Sequence, residues 1–454
     1  MADLASAGTA DVQFQTIAHP AILHPPITPP PITGGQIAAA VMGNALEFYD
    51  FTTYALFAVQ IGNVFFPFHD SFTKLMASLL TFGVGFVARP AGAMVLGLFG
   101  DRVGRKPAML VSFTLMGLGI LGLVLIPPYA VIGAAAPALL VVCRLVQGFA
   151  LGGEVGPTTA FLIEAAPPHR RALIGSWQSA SQAIASLCGA TIGLVMTQTL
   201  SAHDLTAFGW RIAFGLGAVV LPFGLLLRRR LPETLHRPDA GPSADPAARD
   251  LSSLVRPIVL GLAMIMSFTT STYTLLYMTT YATQTLHMSP RDSFGPSVAN
   301  GFSGILFALL GGWLADRFGR RPVMITARTL FMLAIVPAFL LMVRNHDLLT
   351  VTLATGLLSA FSSTSVGVAL VALTESFHKT VRSTALAVIY AMAVTVFGGL
   401  AQPAITQMIK ATGSPMAPAW YMMAAAVIGI TAMAFLKETH PDRIEGARAL
   451  IETA

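Results

Sequence analysis

The sequence predicts an all-α integral membrane protein with twelve transmembrane helices in two pseudo-symmetric six-helix halves. Its composition is 54% hydrophobic and only 11% charged, whereas a soluble domain carries roughly 25% charged residues. Apolar runs long enough to cross a bilayer recur from residue 36 to residue 435, separated by short polar turns. A ten-residue pattern that begins at Gly97 recurs at Gly312, 215 positions later. The chain is therefore expected to be a membrane protein built by duplication.

Twelve apolar runs, numbered here as spans 1 to 12, account for most of the chain. Their predicted limits are 36–61, 72–98, 107–127, 135–164, 172–200, 210–228, 256–282, 292–315, 322–343, 348–376, 383–408 and 416–436. The predicted domains are a disordered cytoplasmic tail (1–34), an N-terminal six-helix bundle (35–228), a cytoplasmic linker (229–255), a C-terminal six-helix bundle (256–436) and a second cytoplasmic tail (437–454).

The positions of the basic residues predict the orientation in the membrane. Nineteen Lys and Arg residues flank spans on the side that holds both termini, five flank them on the other side, and Arg89, Arg144 and Arg328 fall within spans. Basic loops stay in the cytoplasm, so both termini are expected there. The excess of 27 basic over 21 acidic residues is explained in this way without a nucleic-acid partner. Residues 1–34 contain no Lys or Arg and many prolines, unlike a secretory signal.

Two sets of charged residues repeat in the same order in both halves. The stretch Gly97–Lys106 matches Gly312–Arg321, and the pair Glu164 and Arg171 matches Glu375 and Arg382. Two parallel halves that rock about a site near the midplane are a transporter architecture.

The repeated pattern G-x-x-x-D-R-x-G-R-[KR] resembles the signature loop of the major facilitator superfamily, and the resemblance covers the chain after its first tail. It implies the major facilitator fold and a cytoplasmic gate that holds the two halves together when the protein faces outward. Simple positive-inside anchoring would explain the arginines but not the aspartates or the fixed glycines. The expected gate residues are Asp101, Arg102, Arg105, Glu164, Arg171, Asp316, Arg317, Arg320, Glu375 and Arg382.

Span 1 carries polar side chains where a membrane helix should be apolar. Asn44, Glu47 and Asp50 are three residues apart and Tyr54 follows four later, so all four lie on one broad helix face. A charge at this depth costs at least ~2.5 kcal/mol on insertion scales, so the face is expected to turn toward the bundle interior.

Two arginines within spans are the other isolated charges of the first half. Arg89 precedes Pro90, which frees the carbonyl of Phe86, so that this carbonyl needs a partner or a cavity. Arg89 is expected to form an ion pair with Glu47 or Asp50 that fixes two helices, or to bind a substrate anion; the two are compatible, because a pair can open as substrate enters. In span 4, Arg144, Gln147 and Glu154 share one side of a glycine-rich helix; here the alternative to a substrate site is an Arg144–Glu154 bridge.

Other polar residues within spans extend the expected substrate site. Span 5 offers Gln178, Ser181 and Gln182, span 7 offers Tyr277, and span 11 offers Gln402. With Asn44, Tyr54, Arg89, Arg144 and Gln147 they form the predicted substrate-binding set. The tyrosines of span 7 recur every four residues, a stripe that is also typical of helix packing.

All ten histidines lie outside the spans, so a carboxylate must carry any coupling proton. The candidates are Asp50, Glu47 and Glu154, with Asp50 preferred because Tyr54 lies on its face. Substrate that competes for a neighbouring arginine would couple binding to protonation of the carboxylate.

Within the superfamily, several stretches resemble the metabolite:proton symporter branch. They are Gly43–Phe51, Arg89-Pro90 and Arg144–Glu154; Ser176–Gln182, Ala372–Glu375 and Val396–Pro403 look most like citrate–proton symporters. The resemblance departs at Gln402, where a residue such as Thr is expected. It implies proton-coupled import of citrate or a related tricarboxylate, and the alternatives are another organic acid or a zwitterionic osmolyte. Two arginines with amide and hydroxyl donors suit a polycarboxylate.

Other classes of protein fit the sequence less well. A channel needs a continuous hydrophilic lining, and neither a phosphate-binding G-x-x-x-x-G-K-[ST] loop nor a metal-spaced histidine cluster occurs. The expected protein is therefore not an enzyme and has no cofactor, metal or nucleic-acid partner. Its expected partners are a small carboxylate, a proton and the lipid of a bacterial inner membrane, and it is expected to be monomeric.

Overall fold

The computed structural model describes residues 34–103, 105–152, 158–159, 162–163, 166–229, 251–377 and 382–440. These residues form helices joined by short turns, and no strand occurs among them. The helices of spans 1 to 6 are Gly34–Leu56 with Ala58–Phe65, Ser71–Val87 with Arg89–Val103, Arg105–Leu125, Ala135–Leu151, Arg171–Thr199 and Trp210–Arg229. Those of spans 7 to 12 are Leu251–Leu276 with Met278–Gln284, Gly295–Phe318, Arg320–Asn345, Leu348–Glu375, Arg382–Ala393 with Ala401–Thr412, and Ala417–Phe435.

Length and apolarity suit these helices for a membrane. Within the described ranges, eight helices are long and apolar enough to cross one, and Leu110–Leu125 and Ala135–Leu151 are shorter apolar helices. Helices are favoured in lipid because they satisfy their own backbone hydrogen bonds. The predicted all-α membrane fold of two six-helix halves is confirmed.

Span 2 changes direction at the arginine–proline pair. Its first helix ends at Val87 and its second begins at Arg89. The Phe86 carbonyl accepts a hydrogen bond from the Thr395 hydroxyl of span 11 at 2.9 Å. The predicted need of this carbonyl for a partner is thus confirmed, and the other half of the molecule meets it.

Spans 5 and 8 join the two halves through closely packed backbones. A Cβ added at Gly301 would lie 2.6 Å from the Leu187 backbone, and one at Gly304 would lie 2.8 Å from the Ala183 side chain. Small residues allow such close approach of two membrane helices.

The halves also touch at both ends of the bundle, which are named here by one residue each. At the Phe294 end, the Phe294 ring lies 5.5 Å from that of Phe57 in span 1. At the Asp316 end, the carboxylate at the end of span 8 accepts hydrogen bonds from the first turn of span 5. The space between these contacts holds the candidate site.

Outside the spans at the Phe294 end, two aspartates cap helices. Asp70 accepts hydrogen bonds from the hydroxyl and backbone N–H of Thr73 at 2.8 and 3.0 Å, and these bonds lower its pKa. Asp347 caps span 10 through Thr350, which lowers the pKa of Asp347 for the same reason. Each cap satisfies an N–H that the first turn of a helix leaves unpaired.

Candidate functional site

A cavity of about 110 Å³ lies between the two halves. Its wall combines aromatic rings with hydroxyl and amide groups from spans 1, 5, 7, 8, 10 and 11. The polar and aromatic residues of the wall are Phe48, Phe51, Thr52, Ser179, Gln182, Ser186, Phe268, Thr269, Thr272, Tyr273, Asn300, Ser359, Ser362, Ser363 and Tyr390. Such a mixture of apolar wall and few polar groups is typical of a small-molecule site.

An ion pair buried from solvent lies beside the cavity. Nη1 of Arg144 is 3.1 Å from Oδ2 of Asp50 and donates to Oε1 of Gln147 at 2.7 Å. The Gln147 amide donates in turn to Oδ1 of Asp50 at 3.2 Å. All three side chains are buried, and the triangle joins span 1 to span 4. Of the two carboxylates that the sequence offered to Arg89, Asp50 is therefore held by Arg144.

Five aromatic rings surround the two arginines and are called here the aromatic cage: Phe51, Tyr54, Phe82, Phe86 and Tyr273. The Arg144 guanidinium lies 4.3 Å from the Phe51 ring centre and 4.5 Å from that of Tyr54. That of Arg89 lies 4.0 Å from the Phe86 ring and 4.6 Å from the Phe51 ring. Phe51 thus contacts both arginines.

The two guanidinium groups keep donors available for an anion. Among the described residues, Nε and Nη2 of both Arg89 and Arg144 have no hydrogen-bond partner. Unsatisfied N–H groups of this kind are costly when buried, and a carboxylate satisfies them by paired hydrogen bonds. The arrangement suits a ligand with more than one carboxylate.

Three of the predicted binding residues bond to each other between spans 1 and 5. The Asn44 amide donates to the Ser181 hydroxyl at 2.6 Å, and the Gln178 amide donates to the Asn44 oxygen at 3.1 Å. All three are buried. The structure gives them a helix-packing role, and their contact with substrate stays a prediction.

The remaining predicted binding residues divide between cavity and core. Gln182 lies on the cavity wall beside Tyr390. Tyr54 donates to the Ser78 carbonyl at 3.2 Å, next to Arg144. Tyr277 pairs with the Thr406 hydroxyl at 2.9 Å within the second half, and the Gln402 amide donates to the Tyr273 carbonyl at 3.4 Å.

Of the predicted proton-coupling residues, Asp50 and Glu47 are both buried in span 1. Asp50 forms the ion pair with Arg144. Glu154 lies outside the described residues.

Among the described residues, three charged residues that were predicted for the gate lie together in the second half. Asp316 accepts from the backbone N–H of Ala172 at 3.0 Å and of Leu173 at 2.8 Å, at the start of span 5. Arg320 lies 3.1 Å from Asp316 and 3.4 Å from Glu375. A carboxylate at a helix N-terminus satisfies free N–H groups and is favoured by the helix dipole.

The other predicted gate residues are placed as follows. Arg317 is exposed and lies 5.9 Å from the Trp313 ring; Arg171 and Arg382 begin the helices of spans 5 and 11. The side chains of Asp101, Arg102 and Arg105, and all of Glu164, lie outside the described residues. Glu438, which the sequence did not single out for the gate, accepts from the backbone N–H groups of Arg320 and Arg321 at 3.0 Å each.

Sequence reasoning also missed the cage and the partners of Arg328. Phe51, Phe82 and Phe86 were not candidates because aromatic residues occur on every face of these spans. Arg328 of span 9, which the sequence placed within a span without a role, is fully buried and donates to both Ser267 and Ser271 of span 7 at 2.6 and 2.7 Å. A charge within a span is the signal that such a residue needs a buried partner.

Comparison with known proteins identifies a family and a fold. The family model described as "Sugar (and other) transporter" matches residues 36–236 and 243–450. A citrate-proton symporter of Salmonella typhi is 36% identical, covering 88% of this chain and 93% of the relative. A citrate-proton symporter of Klebsiella pneumoniae is 34% identical, covering 91% and 94%.

A more distant relative and a solved structure complete the comparison. The proline/betaine transporter of Escherichia coli (strain K12) is 31% identical, covering 90% of this chain and 85% of the relative. The partially occluded inward-open structure of the xylose transporter XylE from E. coli superposes with a TM-score of 0.71 at 18% identity, covering 89% of this chain and 98% of XylE. At that identity the likeness concerns the fold.

Proposed function

The chain belongs to the family of sugar and other transporters, and we propose that it is a proton-coupled symporter that imports citrate or a related tricarboxylate by alternating access. The observation that carries the proposal is the pair of buried guanidinium groups beside the cavity, each with two nitrogens that have no hydrogen-bond partner in the described part of the chain. Two relatives that cover nearly the whole chain are citrate-proton symporters, which agrees with a site for carboxylates.

Coupling follows from competition for Arg144. In the structure, Asp50 occupies Nη1 of this arginine. A proton on Asp50 removes the negative charge and weakens the pair, so that Arg144 is released to bind a substrate carboxylate. The proton and the substrate therefore favour the same state, and two ligands that favour one state bind cooperatively. Release of substrate on the opposite side restores the Asp50–Arg144 pair.

The second candidate is a symporter of a zwitterionic osmolyte, which the relationship to a proline/betaine transporter suggests. Aromatic cages bind quaternary ammonium groups by cation–π contact. Here the rings of Phe51, Phe82 and Phe86 lie around two guanidinium groups. Another cation at the same rings would meet like charges, so this geometry favours an anion over betaine.

The membrane location, the orientation and the energy source belong to the same proposal. We place the protein in the bacterial inner membrane with both termini in the cytoplasm, because basic residues are concentrated on that side. The gate at the Asp316 end is then cytoplasmic. The proton gradient supplies the energy, and no cofactor is required.

Uptake by purified protein in proteoliposomes tests the proposal. Labelled citrate is expected to accumulate only with an inward proton gradient. Competition by unlabelled tricarballylate, aconitate, 2-oxoglutarate and betaine ranks the substrate classes, with tricarboxylates expected to compete best. Accumulation of betaine but of no tricarboxylate would establish the second candidate and refute the first.

A further inference from the structure

The ring of Phe51 lies between the cavity and both buried arginines. Phe51 is part of the cavity wall, and its ring centre is 4.6 Å from Cζ of Arg89 and 4.3 Å from Cζ of Arg144. The arginines are 2% and 0% exposed, and among the described residues neither belongs to the cavity wall. A carboxylate in the cavity therefore meets the residues of the wall before it meets either guanidinium, and Phe51 is the wall residue whose ring lies against both.

Contacts with the first half hold the ring in this position. Edge-to-face packing places it 6.1 Å from the Phe82 ring and 5.3 Å from the Phe86 ring. The two guanidinium groups add cation–π attraction, which is stronger where water is excluded. Phe51 also belongs to the cavity wall, so the cavity is the side toward which its side chain would rotate.

Displacement of the Phe51 ring would change which hydrogen-bond donors of Arg89 and Arg144 a ligand in the cavity can reach. With the ring in place, Nε and Nη2 of Arg89 and Arg144 have no partner among the described residues. With the ring displaced, these four nitrogens would face the cavity. When a substrate carboxylate takes the place of the ring, charge-assisted hydrogen bonds replace the cation–π contacts. Such hydrogen bonds are the stronger interaction for a buried guanidinium.

We propose that Phe51 is a displaceable lid over Arg89 and Arg144, whose ring leaves the two guanidinium groups when a substrate carboxylate binds them. The inference rests on the proposed function for the identity of the substrate, but the covering of the arginines does not depend on it. Phe51 is thus a positioning residue that keeps the anion site closed until a ligand able to displace the ring arrives.

Chemical modification of the arginines tests the lid without any substrate. Full-length protein is treated with methylglyoxal, and modification of Arg89 and Arg144 is followed by peptide mass spectrometry. Phe51→Leu removes the ring and is expected to raise both rates about tenfold, since two desolvated cation–π contacts are lost. Phe48→Leu is the matched control, because Phe48 lies three residues earlier on the same helix and the same cavity wall. The buried Arg328 of span 9 is an internal reference.

The outcomes separate the lid from the substrate assignment. Equal rates at Arg89 and Arg144 in wild type, Phe51→Leu and Phe48→Leu overturn the lid and leave the proposed function standing. A faster rate at Arg328 in Phe51→Leu means general loosening, and it also counts against the lid. If Phe51→Leu does not fold, Phe51→Met keeps the volume without the ring and gives the same test.

A second measurement follows the ring itself. Fluorinated phenylalanine is incorporated at position 51 or, as control, at position 48, and its NMR signal is recorded while citrate is added. A shift at position 51 that exceeds the shift at position 48 supports the lid, and no shift at saturating citrate overturns it. The citrate affinity of Phe51→Leu is expected to rise about tenfold, because the cation–π contacts of Phe51 no longer have to be given up. Absence of citrate binding in every variant contradicts the proposed function, while the modification rates still decide the lid.

Discussion

Replacement of Asp50 by asparagine removes the charge from the buried pair while it keeps the shape of the side chain. Oδ2 of Asp50 lies 3.1 Å from Nη1 of Arg144, and Oδ1 accepts from Gln147 at 3.2 Å. A hydrogen bond to a charged group contributes about 1.5–3 kcal/mol. If substrate no longer has to displace a carboxylate from Arg144, its affinity at neutral pH should rise by about 10- to 100-fold, the equivalent of that energy. Binding should also lose its dependence on pH.

Stability should change in the opposite direction to affinity. Without the carboxylate, Arg144 is a buried charge with no ion-pair partner at Asp50, and breaking a buried pair costs about 3–5 kcal/mol. The melting temperature of empty Asp50→Asn protein should therefore fall. Saturating citrate should raise it by more than in wild type, because the substrate supplies the missing negative charge and binds more tightly.

Three assays on Asp50→Asn measure substrate affinity, proton coupling and turnover. Isothermal titration at acidic and neutral pH gives the affinity, proteoliposome uptake gives the response to a proton gradient, and counterflow exchange shows whether the carrier still turns over. We expect tight, pH-independent binding, preserved exchange and no gradient-driven accumulation. Glu47→Gln is the comparison, since it removes the other buried carboxylate of the same helix face. Gradient-driven accumulation by Asp50→Asn at the wild-type level would refute the coupling argument, and uncoupling by Glu47→Gln alone would transfer the role to Glu47.

The remaining predictions concern the anion site, the gate, the helix packing and the caps. Arg144→Ala and Arg89→Ala should each abolish citrate binding measured by titration, because each removes a guanidinium with free donors. Asp316→Asn should open the Asp316 end by losing charge-assisted bonds to span 5, about 1.5–3 kcal/mol each, and spin-label distances between spans 5 and 8 should lengthen. Gly148→Ala should lower the melting temperature strongly, because its Cβ would overlap the backbone of span 2. Protection factors for amide hydrogen exchange in the first turn of span 10, corrected for the intrinsic pH dependence of exchange, should fall as pH falls through the lowered pKa of Asp347, because its carboxylate caps the helix most strongly when ionised.

Each of these expectations has a result that contradicts it. Near-wild-type affinity of either arginine variant would leave that arginine a structural role only. Unchanged spin-label distances in Asp316→Asn would mean that other contacts hold this end, and Arg317→Gln is the control there because Arg317 is exposed. An unaltered melting temperature in Gly148→Ala would show that spans 2 and 4 can separate without cost. Protection factors in the first turn of span 10 that do not change with pH would show that the Asp347 cap does not limit exchange there.

The charged residues of the site were predictable because charged side chains are rare in membrane-spanning helices. Asp50, Arg89 and Arg144 stand out in apolar spans, and each needs a partner within the bundle. The same reasoning located the free carbonyl of Phe86, since a proline four residues later removes its helical donor. Neither step depends on how the helices are arranged.

The pairing of these charges was not predictable, because it depends on how three helices rotate against each other. Either arginine could reach a carboxylate of span 1 by sequence alone, and the structure gives Asp50 to Arg144. The amide and hydroxyl groups of Asn44, Gln178 and Ser181 are ambiguous for the same reason. They suit a substrate or a neighbouring helix equally well, and here they bond to each other.

The position of Phe51 next to Asp50 joins the lid to the proton site. Successive residues on a helix point about 100° apart, so one helix of span 1 presents the carboxylate to Arg144 and the ring to both arginines and the cavity. A carboxylate that takes Arg144 from Asp50 must also displace the neighbouring ring. Protonation of Asp50 and movement of Phe51 are then two parts of one substrate-binding step, because both release the same guanidinium. It follows that Phe51→Leu should weaken the barrier to binding without removing its dependence on pH, whereas Asp50→Asn should remove that dependence and leave the lid in place.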